Sequence, residues 1–151
     1  GLTSENFRLI ATGEQAFLPA TIKAVGKVMD EAIREIGLDI ERMKVAVVGS
    51  KGMVGKPLVS QLKRFGFEVG EFEVNDELKL ADYDVVISAT GKEGLIKPEM
   101  VKKGVVVIDV GFPKGDFETD VSKNSSFFTS VPGGVGPVTV VCLMENVVEA
   151  L

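Results

Sequence analysis

The chain has 151 residues, 45 % of them hydrophobic, with 17 basic and 22 acidic side chains and a formal net charge of −5. That is the size of one domain and is enough to bury a core. The negative, unsegregated charge excludes a generic nucleic-acid surface. No apolar run is long enough to span a bilayer, so no membrane partner is expected. Cys142 is the only cysteine and there is no histidine. An intrachain disulfide, a thiolate metal cluster and histidine base chemistry are therefore excluded, and no metal site is expected. No secretory leader is visible, which makes a cytoplasmic setting the default. The chain opens on Gly1 rather than Met, as an excised piece or a cleaved product would.

Residues 1–18 read as irregular. Pro19 suits the first turn of a helix. Ile22, Val25, Met29, Ala32, Ile33 and Ile36 then recur at helical spacing until Gly37, predicting a helix over 20–36. Lys44-Val-Ala-Val-Val48 is a continuous apolar run, the pattern of a strand covered on both faces. A helix is expected from about Val54 to Phe65, closed by Gly66, followed by a strand over 67–74. Further strands are expected over 84–89, 104–109 and 126–129, with a helical turn at 98–101 and a last helix from Pro137 almost to Leu151. This alternation predicts one α/β domain over residues 1–151, a Rossmann-type three-layer αβα arrangement with a mostly parallel sheet.

Gly49, Gly52 and Gly55 follow a buried strand and open a helix. Glycines there permit a tight turn, and the helix start offers unpaired N–H groups to a phosphate. The expected cofactor contacts in this turn are Gly49, Ser50, Lys51, Gly52, Val54 and Gly55. A plain glycine-rich turn is the other reading. Glu71 and Glu73 lie 22 and 24 residues after Gly49. An acid near this point binds the adenosine ribose in dinucleotide domains and repels a 2′-phosphate, which favours NAD over NADP. Lys51 argues weakly the other way, and a solvated strand face is the alternative for both acids. Ala89, Thr90 and Gly91 after the third strand, and Gly111 after the fourth, sit where ligands bind beyond strand ends. Asp109 reads either as a ligand-facing acid or as a cap on nearby backbone N–H groups.

Several stretches together resemble one known family. Val131-Pro-Gly-Gly-Val-Gly-Pro-Val-Thr139 resembles the PGGVGPxT signature of the bifunctional methylenetetrahydrofolate dehydrogenase/cyclohydrolases. Val48-Gly-Ser-Lys-Gly-Met-Val-Gly-Lys-Pro57 is similar to their GRSxxVGxP turn, and Ala89-Thr-Gly-Lys-Glu-Gly-Leu-Ile96 to their VGxPGLI stretch. Val106-Val-Ile-Asp-Val-Gly111, Gly13-Glu14 with Phe17-Leu-Pro-Ala-Thr21, and Gly1-Leu-Thr-Ser-Glu-Asn6 resemble further segments in the same order.

The resemblance implies the family's C-terminal NAD(P)-binding domain. It implies a dinucleotide, NAD or NADP, lined by Gly91, Gly111 and Thr139, with Pro132, Gly133 and Gly134 facing a tetrahydrofolate substrate. The family's Arg and Ser in GRS are Ser50 and Lys51 here, and its PCTP reads Pro19-Ala-Thr-Ile22. That Arg helps relatives hold the 2′-phosphate. The family's catalytic lysine and tyrosine belong to an N-terminal domain that maps nowhere onto this chain, so no catalytic residue is assigned. Tyr83, the only tyrosine, lies at the start of a strand, away from the ligand end.

Three readings follow. The chain is the cofactor domain of a complete bifunctional enzyme, a short subunit needing a catalytic partner in trans, or a binding or regulatory protein without catalysis. A methanopterin carrier is an alternative to folate. Val138, Val141, Cys142, Met144 and Val148 of the last helix are expected on a surface exposed without that other domain. Such a surface favours self-association, as in a homodimer, or partner binding.

Overall fold

The computed structural model describes residues 3–12, 14 and 17–151. Its elements are α1 (Ser4–Thr12), α2 (Ala20–Ile36), β1 (Lys44–Val48), α3 (Gly55–Arg64), β2 (Glu68–Phe72), β3 (Val85–Ser88), β4 (Val105–Asp109), β5 (Ser125–Phe128) and α4 (Val135–Glu149). Two 3-10 turns, Pro98–Met100 and Thr119–Lys123, fall before and after β4. All strand pairs are parallel, in the order β2-β1-β3-β4-β5. This is a doubly wound α/β sheet, as the alternation of elements predicts.

The valine-rich strands suit a sheet buried on both faces, because alternate side chains point to opposite sides. Val45, Val47, Val85, Ile87, Val106 and Ile108 pack under helices, against Val25, Met29 and Ile33 of α2, Leu58 and Leu62 of α3, and Val135 and Cys142 of α4. On the other face Ala46, Val48, Val86, Val105 and Val107 meet Leu80, Ile96, Val101, Phe117 and Val121. That second layer is thin, made of 3-10 turns and connecting segments.

Pro19 precedes the first turn of α2. At its end Gly37 and Leu38 both donate to the Ile33 carbonyl, at 2.9 and 3.3 Å. Lys23 bridges from α2 to Glu145 and Glu149 of α4, at 3.1 and 2.7 Å. None of the described helices is long and apolar enough to cross a membrane.

Three expectations are corrected. The segment expected to be irregular contains α1, which lies against α3. Buried Asn6 holds its far end, accepting from the Phe17 N–H at 3.0 Å and donating to the Phe17 carbonyl. Helix α4 starts at Val135, two residues before Pro137, because proline is tolerated anywhere in a first turn, where no intrahelical N–H bond is lost. Of the five α4 residues expected at the surface, Cys142 is fully buried and Val138 packs on the core. The exposed apolar face is Val140, Val141, Leu143, Met144, Val147 and Val148. Gly13 of the Gly13-Glu14 segment lies outside the described residues.

Candidate functional site

The parallel register brings the strand ends into one row: Val48 pairs with Phe72 and with Ser88, and Ser88 pairs with Asp109. The next residues, Gly49, Glu73 and Ala89, therefore form the rim of the carboxyl edge. The chain goes from β1 to β2 on one side and then returns to β3 on the other. That makes the β1/β3 boundary the switch point where doubly wound sheets open a ligand crevice.

The turn after β1 fills this rim. Gly49 has φ of +84°, and a Cβ there would stand 2.8 Å from the Ala89 carbonyl oxygen. Only glycine serves both demands. The N–H groups of Gly49 and Ser50 donate to the Phe72 carbonyl at 2.8 and 3.2 Å, and that of Gly52 donates to the Gly49 carbonyl at 3.1 Å. Gly55 is the first residue of α3, and a Cβ on it would fall 1.9 Å from the Gly49 oxygen. The helix thus starts almost in contact with the strand end. The N–H groups of Met53, Val54 and Gly55 meet no acceptor among the described residues. Three donors at a helix start suit an anionic oxygen, which the partial positive charge of that terminus also favours.

The two acids of β2 separate. Glu71 forms an ion pair with Lys63 of α3. Half-buried Glu73 turns to the phosphate-type turn, where its Oε1 accepts from the Ser50 hydroxyl at 2.7 Å and the Lys51 N–H at 2.8 Å. Ser50 is buried under this contact, whereas Lys51 and Gly52 are exposed.

Asp116, which is fully buried, ties down the end of β3. Its Oδ2 accepts from the Ser88 hydroxyl at 2.7 Å, the Thr90 N–H at 2.7 Å and the Thr90 hydroxyl at 2.8 Å, while Oδ1 has no hydrogen-bond partner among the described residues. Asp109 is only 2 % exposed. Its Oδ1 accepts the N–H groups of Gly111 and Asp116 at 2.8 and 3.1 Å, and its Oδ2 accepts that of Phe117 at 3.2 Å. The capping reading of Asp109 is thus the one the geometry gives. Burial pushes its carboxyl above the usual aspartate value, the nearby Asp116 charge adds to this, and the three N–H groups oppose it.

Beside Asp109 lies a cleft of ≈ 410 Å³. It is lined by Gly111, Pro132, Gly133, Gly134 and Thr139, all sequence-expected, together with Thr21, Phe112, Ser130 and Val135. Thr139 donates its hydroxyl back to the Val135 carbonyl at 2.9 Å, which fixes its rotamer at the start of α4. Among the described residues, Asp109 is the one ionisable side chain in this lining.

The family model for the tetrahydrofolate dehydrogenase/cyclohydrolase NAD(P)-binding domain matches residues 19–151. The chain belongs to this family. It is 42 % identical to the bifunctional protein FolD of Mycoplasmopsis synoviae, in a match that covers 90 % of this chain and 51 % of that protein. The crystal structure of the bifunctional FolD enzyme of Campylobacter jejuni superposes with a TM-score of 0.87 at 32 % identity, covering 99 % of this chain and 56 % of that one. The Trypanosoma brucei FolD structure, complexed with NADP cofactor and inhibitor, gives a TM-score of 0.81 at 31 % identity, over 97 % and 55 % of the two chains. The chain spans about half the length of the relatives it matches.

In this structure the residues expected at the site fall into two groups. Gly49, Ser50, Lys51, Gly52, Val54, Gly55, Glu73, Ala89, Thr90 and Gly91 gather at the ends of β1, β2 and β3. Gly111, Pro132, Gly133, Gly134 and Thr139 gather at the neighbouring cleft. Glu71 joins neither group directly. Sequence reading missed Thr21, Phe112, Ser130 and Asp116. The one sequence signal for Phe112 was its place directly after Gly111; its 83 % exposure at the cleft is visible only in the structure. Asp116 carried none, because its partners Ser88 and Thr90 are distant in sequence.

Proposed function

We propose that this chain is the cofactor-holding part of an NAD(P)-dependent methylenetetrahydrofolate dehydrogenase/methenyltetrahydrofolate cyclohydrolase, acting in one-carbon folate metabolism. A bound nicotinamide supplies the hydride acceptor for oxidation of the methylene bridge. The chain's own residues bind and orient. The free N–H groups of Met53, Val54 and Gly55 receive the pyrophosphate. Thr90 and Gly91 border the path of the dinucleotide toward the cleft, where Gly111 and Thr139 line the nicotinamide and Pro132, Gly133 and Gly134 face the folate. Phe112 supplies an aromatic face at the cleft mouth for one of the planar rings.

The observation that carries this division of labour is the cleft lining. Its single ionisable group among the described residues, Asp109, is engaged by three backbone N–H groups and holds the loop together. Cyclohydrolysis needs a side chain that moves a proton, and hydride transfer needs the folate held against the nicotinamide from a second wall. We assign both tasks to a catalytic portion, in cis or in trans. A spectrophotometric assay with methylenetetrahydrofolate and each nicotinamide dinucleotide tests this. The chain alone should give no turnover, and adding the catalytic domain of a FolD relative should restore it. Substantial turnover by the chain alone would overturn the assignment, as would no turnover after that addition.

A further inference from the structure

We infer that Glu73 is the residue that selects the dinucleotide, favouring the one without a 2′-phosphate, NAD over NADP. The inference rests on the cofactor site proposed above and deepens it. The carboxylate stands at the end of β2 beside the turn, where the adenosine ribose of a dinucleotide bound at a β1/β3 crevice lies. Its Oε1 is filled by the Ser50 hydroxyl and the Lys51 N–H. With those two donors of the turn engaged, neither is left to hold a 2′-phosphate. Its Oε2 has no partner among the described residues and is free to accept from a ribose hydroxyl.

The position is held from behind. The Glu73 N–H donates to Asp76 Oδ2 at 2.6 Å, which pins the loop and sets a second carboxylate nearby. A 2′-phosphate entering here would meet negative charge and would displace Glu73 from the turn it braces. Two features could act against this. Glu71 could share the task, but it is paired with Lys63 on α3. Lys51 carries an ammonium with no ion pair among the described residues, but it is solvent-exposed, and exposed charges are screened by water and salt far more than a half-buried carboxylate is.

Calorimetric titration with NAD and with NADP at one ionic strength tests the inference on the wild type, Glu73→Gln and Glu71→Gln. The amide carbonyl of Glu73→Gln can still accept both bonds from Ser50 and Lys51, so this change removes the charge and keeps the brace. The wild type should bind NAD roughly tenfold more tightly than NADP. The ratio should move toward NADP by about the same factor in Glu73→Gln and stay put in Glu71→Gln. Equal or tighter NADP binding by the wild type overturns the inference even if Glu73→Gln fails to fold. An unchanged ratio in a folded Glu73→Gln also overturns it, and both results leave the cofactor site itself standing. Binding of neither dinucleotide would bring down the site and the inference together.

Discussion

Replacing Gly55 by alanine separates what the turn needs for its own packing from what it offers a ligand. The added Cβ would lie 1.9 Å from the Gly49 oxygen, 2.7 Å from the Gly49 carbonyl carbon and 2.9 Å from the Ser50 Cα. All three are backbone atoms, so no side-chain rotation relieves the clash. Restoring ordinary contact requires the start of α3 to move by roughly 1 Å from the end of β1, against a buried interface. Overpacking of this kind costs about 1–3 kcal/mol. The gain in helix propensity from glycine to alanine returns at most ~1 kcal/mol, and less at a first turn. For a domain of this size the melting temperature should fall by about 3–10 °C. Gly52→Ala is the counterpart. Its Cβ would meet only the Gly49 oxygen, at 3.2 Å, on an exposed residue. Its melting temperature should stay within ~1 °C of wild type. Dinucleotide affinity should nonetheless drop roughly tenfold, because a methyl group on this exposed residue of the turn crowds a phosphate approaching the N–H groups that follow it. Thermal melting with circular dichroism and calorimetric titration read the two effects. A Gly55→Ala protein as stable as wild type would refute the close approach. Unchanged affinity in Gly52→Ala would refute the turn as the phosphate cradle.

Other outcomes follow from the same geometry. Gly26 in α2 is exposed, and a Cβ added there would meet nothing within 4 Å, so Gly26→Ala should raise stability by about 0.5–1 kcal/mol in a denaturant melt. Burial of Asp84 pushes its carboxyl up, but the Lys102 ammonium and the Lys44 N–H outweigh this and hold it below its ordinary value of 3.8. Its contribution is therefore present above that value and lost as pH falls through the lowered one. Melts between about pH 2 and 6 should show Asp84→Asn losing less stability on acidification than wild type does. Asp116→Asn can keep all three bonds on its carbonyl while removing a buried charge beside Asp109. It should cost under ~1 kcal/mol by chemical denaturation, whereas Asp116→Ala should cost about 2–4 kcal/mol. On α4, Val141→Asp with Val148→Asp should weaken reconstitution of turnover by an added catalytic domain and leave dinucleotide affinity intact; equal reconstitution would place the docking surface elsewhere.

The sheet was legible because its strands are continuous runs such as Val-Val-Val-Ile at 105–108, bounded by glycine or charge, and the strand ends differ from expectation by only one or two residues. Helix α1 was not. Its nine residues are fewer than an isolated helix needs, about 12–15, and packing on α3 with the Asn6 brace substitutes for local preference. The glycine turn could be placed from its strand-to-helix setting. Its tight spot at Gly55 could not, since it depends on how closely a helix start meets the Gly49 carbonyl. Glu71 and Glu73 share strand parity, so period two puts them on one face. The ladder stops at Phe72, however, and Asp76 captures the Glu73 N–H, which turns that carboxylate toward Ser50. The same limit applies to α4, where composition is apolar all round and only contact with α2 decides that Cys142 is inside and Val141 outside.

Amide chemical-shift mapping by NMR during titration with NAD tests directly whether the turn and the cleft hold the dinucleotide. The largest changes should fall on residues 49–55, 73, 89–91, 111, 133–136, 138 and 139, with Met53, Val54 and Gly55 among the strongest because their N–H groups acquire an acceptor. Changes centred instead on the groove between α2 and α3, around Ile40, Gln61 and Phe65, or no change at millimolar dinucleotide, would contradict it.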